Sequence, residues 1–493
     1  SQPMAAPYRS PFLAMACWSL IKLALTPLHR NLTGTALCRI SPTPSTPTQN
    51  PPTATQFPPT QTQLPPTMIL QEGNDLPILF LQSKSSRELF GNRIGSLCHS
   101  PWCIRDEAHI NDEFLSLGLK GILRLTLNET DGPDVEWGSA ELTIAPSDDI
   151  WVTSVSQDIE IAYILNFWDK ANHPTGWEGI SSRFKTEDEI QRYLVYVNFI
   201  VNHFKDRIHY YEIWNEPNYS VSVQYIEPVD YINLVKRTIP VIKEADPDAK
   251  IMVGGISGLE DLESREYLFQ ILQSDIMPMV DVVSWHPLFG DSPQFDEFRE
   301  YYYSYPSLIQ QIKDMASAHG FTGEYRADEL TWRTPVNPSP SQPRMYSEIT
   351  AAKYYARAIV MHLGMEVDVG IMVDPRLMKI RSTTGNLCNI MDGAMVENIP
   401  IEIQSQADNI KNYSFSLPNG DKLIILYSDG IAVDNDLGVS SKIIITNYTS
   451  WDATGIDVLN GFEQGLISSN ENGNLLIEDI LIKDYPIIIH LSK

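Results

Sequence analysis

The sequence predicts an α/β fold, a (β/α)8 TIM barrel followed by a small antiparallel β-sandwich, and three observations carry that expectation. Eight short apolar runs alternate with longer amphipathic stretches between about residues 75 and 384. Eight is the number of strands that closes a parallel barrel. From 385 to 493 the helical periodicity stops, and short alternating runs are separated by turn signals such as Asn419-Gly420 and Asn472-Gly473, the pattern of an antiparallel sandwich. Finally, the run Ile208-His209-Tyr210-Tyr211-Glu212 leads into Ile213-Trp214-Asn215-Glu216-Pro217-Asn218. Pro217 donates no backbone hydrogen bond, so the strand stops there and leaves an amide and a carboxyl at its C-terminal end. On a parallel barrel that rim is where catalytic groups sit.

The strand-like runs begin with Leu89–Ile94, Gly121–Leu125 and Ile159–Leu165, followed by the run ending at Glu216. Ile251–Gly255, Val280–Trp285, Gly323–Ala327 and Val367–Met372 complete the eight. Between them, Glu187–His203, Val229–Glu244, Ser307–His319 and Tyr346–Leu363 carry apolar residues at helical spacing. After residue 384, strands are expected at Asn412–Leu417, Lys422–Tyr427, Lys442–Asn447, Gly455–Leu459, Leu475–Ile482 and Pro486–Leu491. No linker separates them from the barrel, so this region is expected to pack on the barrel flank as support.

The N-terminal region reads differently. Residues 41–68 are an uncharged stretch of Pro, Thr, Gln and Ser, which cannot bury a core and is expected to be an extended spacer. Residues 1–40 hold an apolar stretch from Pro11 to Leu25, interrupted by Ser19 and Lys22, as a weak signal or lipoprotein-like segment would. Cys38 is the candidate for lipid modification, and an extracellular or cell-surface location is expected. No stretch approaches the roughly 20 apolar residues that span a bilayer. Of the other cysteines, Cys98 and Cys103 are close enough to bridge in an exported protein, and no pair among the five, Cys17 and Cys388 included, has the company of a zinc finger. The net charge of −26 disfavours nucleic acid and anionic membrane as partners and suits solubility. No cluster has metal-ligand spacing and no glycine-rich phosphate loop follows the first strand, so no cofactor is expected.

Two carboxyls facing each other across a cleft are what most glycosidases require. Glu216 is one candidate. Its partner should lie on another strand end of the same rim, and Asp328-Glu329-Leu330-Thr331-Trp332 follows the seventh strand. The 113 residues between Glu216 and Glu329 correspond to three βα units of ordinary length, placing them at strands four and seven. Because adjacent strand residues point to opposite faces, only one of Asp328 and Glu329 is expected to enter the barrel. Glu212 shares the strand with Glu216 and is expected to pair with a buried arginine.

On these motifs the chain resembles clan A of the retaining glycoside hydrolases, most closely the family 39 type with its C-terminal β-sandwich. Asn215-Glu216-Pro217 matches the clan's strand-four motif, and Glu329 with Thr331-Trp332 matches its strand-seven motif, with Asp328 in place of Thr and Thr331 in place of Gly. Arg124 matches the strand-two arginine, and Ser284-Trp285-His286-Pro287 the strand-six histidine region, although Leu288 stands where the clan often has Tyr. The resemblance implies Glu216 as acid/base and Glu329 as nucleophile. Arg124 would stabilise that nucleophile. It further implies carbohydrate contacts from Asn215 and His286. Trp332 and Trp168 are candidate stacking faces for sugar rings. The activity implied is cleavage of a β-linked polysaccharide or oligosaccharide. A non-catalytic carbohydrate-binding barrel, or a transglycosidase with the same two glutamates, are the alternatives, and the sequence leaves the oligomeric state open.

Overall fold

The computed structural model describes residues 69–99, 115–126, 142, 144, 146–166, 182–219, 225–338, 344–372, 374 and 376–493. Among them eight parallel strands follow in order: β1 (Ile94–His99), β2 (Leu123–Thr126), β3 (Ile161–Ile164), β4 (Tyr210–Glu212), β5 (Lys250–Ser257), β6 (Val282–His286), β7 (Glu324–Thr331) and β8 (Asp368–Ile371). Each pairs in parallel with the next, and β8 pairs with both β7 and β1, with Val369 opposite Ile94, so the sheet closes into a barrel. Barrel strands are covered on both faces, which is why Ile161–Ile164 and Val282–His286 are buried at every position.

The helices around the barrel have the caps their sequences offer. Thr186 accepts from Glu189 N to start α2 (Glu187–Phe204), after α1 (Pro146–Val155), and three acidic residues in its first turn suit the helix dipole. Pro228 opens α3 (Pro228–Ala245). Asp261 caps α4 (Leu262–Leu272), α5 spans Asp296–Ala318, Ser347 caps α6 (Glu348–Gly364) and α7 is Met378–Ile390. Helix α2 buries Ile190, Tyr193, Val197, Ile200, Val201 and Phe204, one face at helical spacing.

Three expectations are corrected. The first strand is Ile94–His99, not Leu89–Ile94. Phe90 is exposed, the amides of Phe90 and Gly91 donate to Asp392, and the Asn92 side chain accepts from Ile94 N and Lys120 N, so residues 90–93 form the turn that enters the barrel. Helix α5 begins at Asp296 instead of Ser307 and runs through Pro306, which its buried Phe298, Tyr301 and Tyr305 outweigh. The helices also persist past 384, since α7 ends at Ile390. Residues 1–68, Cys103 and Trp168 lie outside the described residues. Cys388 is a buried free thiol. Among the described residues no helix is long and apolar enough to cross a membrane.

The C-terminal β domain consists of two antiparallel sheets, of seven and four strands. The larger one includes a strand from the opposite end of the chain: Ile78–Phe80 pairs with Phe462–Gly465, and Gln71 bridges to Ile480. Barrel and β domain belong to one compact unit. Strand Lys422–Ser428 is buried from Leu423 to Tyr427, as a strand covered on both sides must be. Polar groups of α5 and α6 fasten the two parts. Buried Arg357 donates from Nε (2.8 Å) and Nη2 (2.6 Å) to the Asp484 carbonyl and from Nη1 to the Gly430 carbonyl (2.6 Å), with Asp429 3.4 Å away. Lys353 Nζ lies 2.6 Å from Asp484 Oδ1, and Tyr302 donates to Asp429 at 2.9 Å.

Removing one member of such a network strands its buried partners. Arg357→Ala is therefore expected to lower stability by roughly 3–5 kcal/mol, measured by urea unfolding of the full chain. A loss under about 1 kcal/mol would mean that the β domain does not brace the barrel through this helix.

Candidate active site

The site is assembled around Arg124, which projects from β2 and is 2% exposed. Its Nε donates to Glu212 Oε2 at 2.5 Å and its Nη2 to Glu212 Oε1 at 3.2 Å. Nη2 also donates to Asn215 Oδ1 at 2.6 Å, and Nη1 to Glu329 Oε2 at 3.0 Å. Burial opposes the charge, yet the carboxylates of Glu212, Asp328 and Glu329 outweigh it and hold the guanidinium above its ordinary pKa. Glu212 thus takes the structural role its strand position suggests, and Ser284 Oγ on β6 completes it with a hydrogen bond of 3.0 Å.

Two irregularities aim the reacting groups. On β5 the register with β6 shifts between Val253 and Ile256, where Gly254 (φ 120°) and Gly255 (φ 56°) stand. A Cβ on Gly254 would lie 2.1 Å from the Ser284 carbonyl, and one on Gly255 would lie 2.9 Å from Glu212 Oε1. The Gly255 carbonyl accepts from Glu216 N at 3.1 Å, so this bulge seats the chain beyond β4. There Trp214 (φ 71°) and Glu216 (φ 46°) adopt left-handed backbone, a strained conformation for bulky residues. Trp214 is anchored by Phe184 at 5.1 Å and by the Arg183 guanidinium at 5.0 Å.

The second irregularity corrects the expectation that Asp328 and Glu329 face opposite ways. Val369 pairs with Ala327 but Ile371 pairs with Leu330, so β7 carries one extra residue opposite Gly370. A Cβ on Gly370 would come within 2.3 Å of the Asp328 carbonyl. The bulge suspends strict alternation and brings both carboxyls to the same neighbours. Asp328 Oδ2 is 3.3 Å from Arg124 Nε, close to the Glu329 contact just described. Desolvation and the Glu212 charge push the Asp328 carboxyl well above its ordinary pKa.

His286, at the end of β6 and fully buried, stands between these groups. Its Nδ1 is 3.0 Å from Glu216 Oε1 and 3.8 Å from Glu329 Oε2, and its Nε2 is 3.6 Å from Asp328 Oδ1. One oxygen from Glu216, one from Glu329 and an imidazole nitrogen all lie within 4.8 Å of one another. Arg124, Asn215, Glu216, His286 and Glu329 are therefore brought together. Trp332 is not placed as a stacking face: it is buried, its Nε1 donates to the Asp291 carbonyl at 3.1 Å, and its ring stacks on Tyr354 at 5.9 Å. Leu288 is buried and pairs with Leu330. Glu329 Oε1 accepts no hydrogen bond among the described residues. Sequence reasoning missed Ser284, the inward Asp328 and the role of Gly254-Gly255. A Gly-Gly pair inside a strand is the signal of a bulge and of close backbone approach.

No family model matches the chain, and no curated protein matches its sequence. Solved structures do. The chain is similar to a family 39 glycoside hydrolase from the gut symbiont Bacteroides cellulosilyticus WH2, at 14% identity and a TM-score of 0.59 over 84% of this chain and 83% of that one. It is also similar to the catalytic domain of GH30 xylanase C from Talaromyces cellulolyticus (11% identity, TM-score 0.53, 84% and 99% covered). A glucosidase from Croceicoccus marinus matches at 14% identity with a TM-score of 0.54, over 84% and 99%. At these identities the likeness defines the fold alone, a (β/α)8 barrel.

The rim of the barrel also holds a pair of perturbed carboxyls. Burial pushes Asp291, after β6, up to about 6, and burial with the Asp291 charge pushes Glu260, after β5, up to about 8. Carboxyls raised in the fold stabilise it while protonated, and that contribution is lost as pH rises from their ordinary values through the folded ones. Asp291→Asn is expected to gain stability relative to the parent as pH goes from 4 to 8. Denaturation curves across that range check this, and a difference independent of pH would contradict it. Gly255→Ala is expected to lower both stability and turnover, because it puts a Cβ against Glu212 on left-handed backbone. Unaltered melting temperature and rate would show that the bulge does not set the site.

Proposed function

We propose that this chain is a retaining O-glycoside hydrolase that cleaves β-linked polysaccharide or oligosaccharide by double displacement. The observation that carries the reading is the approach of Glu216 and Glu329 oxygens to within 4.8 Å. Retaining enzymes hold their carboxyl groups about 5–5.5 Å apart, whereas inverting ones leave about 6.5–9.5 Å for a water between them.

Glu329, fixed by Arg124, attacks the anomeric carbon while Glu216 gives its proton to the leaving oxygen. A glycosyl–Glu329 ester results, and Glu216, now a carboxylate, takes a proton from the water that displaces it. The hydrogen bond from Arg124 orients the Asn215 amide so that its NH2 is the group left for a sugar hydroxyl. The uncharged Pro/Thr spacer at 41–68 supports action outside the cell.

Chemical rescue separates the two roles. Glu329→Ala should abolish turnover of aryl β-glycosides, and azide should restore it with a product of inverted configuration. Glu216→Ala should keep activity on substrates with good leaving groups, with azide yielding the retained product. Anomeric configuration followed by NMR decides the matter, and the opposite azide pattern would exchange the two assignments.

A further inference from the structure

Asp328 precedes the proposed nucleophile and takes no part in the displacement described above. It is 1% exposed, and neither carboxyl oxygen accepts a hydrogen bond among the described residues. Burying such a group without hydrogen bonds is unfavourable. Arg124 offers little relief, because its Nε is already given to Glu212 at 2.5 Å and stands 3.3 Å from Asp328. The other neighbour is the imidazole of His286, whose Nε2 is 3.6 Å from Asp328 Oδ1 while its Nδ1 is 3.0 Å from Glu216 Oε1. The ring therefore lies between the proposed acid/base and a second buried carboxyl.

A neutral imidazole carries one N–H, so it donates at one nitrogen and accepts at the other. With the proton on Nε2 directed at ionised Asp328, Nδ1 accepts from a protonated Glu216, the form needed for the first step. With the proton on Asp328, on the side of Nε2, the ring's N–H is at Nδ1 and faces the Glu216 carboxylate, a form that has no acid to give in the first step. Both arrangements hold two protons. They differ by one proton passing from Glu216 to Nδ1 and one from Nε2 to Asp328, so charge and atoms balance without an outside acid.

We infer that Asp328 is a positioning residue that acts through His286 to set where the proton of Glu216 resides. This rests on the glycosidase reading. Among the described residues, the charged groups facing Asp328 include Glu212 on β4, Arg124 on β2, and Arg326 and Glu329 on β7; those facing His286 include Glu216, Glu329 and Asp328 itself. Burial and Glu212 raise the Asp328 carboxyl, against Arg124 and Arg326.

Asp328→Asn tests this with aryl β-glycosides of graded leaving-group acidity. Loss of control over the Glu216 proton should fall on poor leaving groups, so kcat/KM for these should drop about tenfold or more beyond the drop for dinitrophenyl glycosides. The same excess should be absent when Asp328→Asn is made in a His286→Gln background. An equal loss on every aglycone would overturn the inference and leave Asp328 a support for Arg124 and Glu329 alone. A readout free of activity is the ring 15N spectrum of His286, identified by its disappearance in His286→Gln. The Nδ1 and Nε2 shifts should change tautomer balance in Asp328→Asn, and unchanged shifts would also overturn it. Should the parent cleave no β-glycoside, the glycosidase reading fails, while the 15N shifts still decide whether Asp328 sets the ring. A melting curve confirms that Asp328→Asn is folded, and Asp328→Ser carries the same measurements if it is not.

Discussion

One buried guanidinium organises the barrel mouth. Arg124 is only 2% exposed, so its five N–H groups must find acceptors within the protein, and they hold Glu212, Asn215 and Glu329 around one side chain. Those acceptors come from the end of β4 and from β7, on either side of the β2 residue that supplies the cation. A lysine could keep the charge but not the fork geometry. The position of the Glu329 carboxylate and the orientation of the Asn215 amide therefore follow from a single residue's desolvation.

Two bulges let that cluster form. A regular strand shows its side chains alternately to the core and to the helices, which would send one of every adjacent pair away from the mouth. The extra residue on β7 and the Gly254-Gly255 step on β5 relax this rule at two places, both beside the reacting groups. Each depends on a glycine where no other residue fits: Gly370 under the Asp328 carbonyl, and Gly254 over the Ser284 carbonyl. The glycines touch no substrate in the proposed reaction, yet they decide which side chains do.

Much of this was legible in the sequence. Pro217 marks the end of β4, the spacing to Glu329 counts three βα units, and the β domain shows its alternation and its Asn-Gly turns. What was hidden has physical causes. The inward turn of Asp328 comes from a register shift that depends on the partner strand, which no local pattern shows. Trp332 has the composition of a sugar platform, but packing against Tyr354 and Tyr355 settles its fate, and those partners lie on α6. The sequence predicts the helix only from Ser307; proline is costly inside a helix, but the burial of Tyr301 and Tyr305 carries α5 through Pro306. Ile78–Phe80 is too short to have a period at all.

That three-residue strand bears on how the chain reaches its fold. Its hydrogen-bonding partners at Phe462–Gly465 follow almost the whole barrel in sequence, and Gln71 donates to the Glu478 carbonyl, 407 residues away. During synthesis Ile78–Phe80 emerges long before these partners, and its edge stays open until they are made. Contacts of such separation form late, since a very long loop must close before they contribute. The barrel can collect its strands in order of emergence, but the seam at Ile78–Phe80 is sealed only once Phe462–Gly465 has emerged. An apolar strand edge left waiting is also where a neighbouring chain could pair instead, so crowding of nascent molecules would be felt first at residues 78–80.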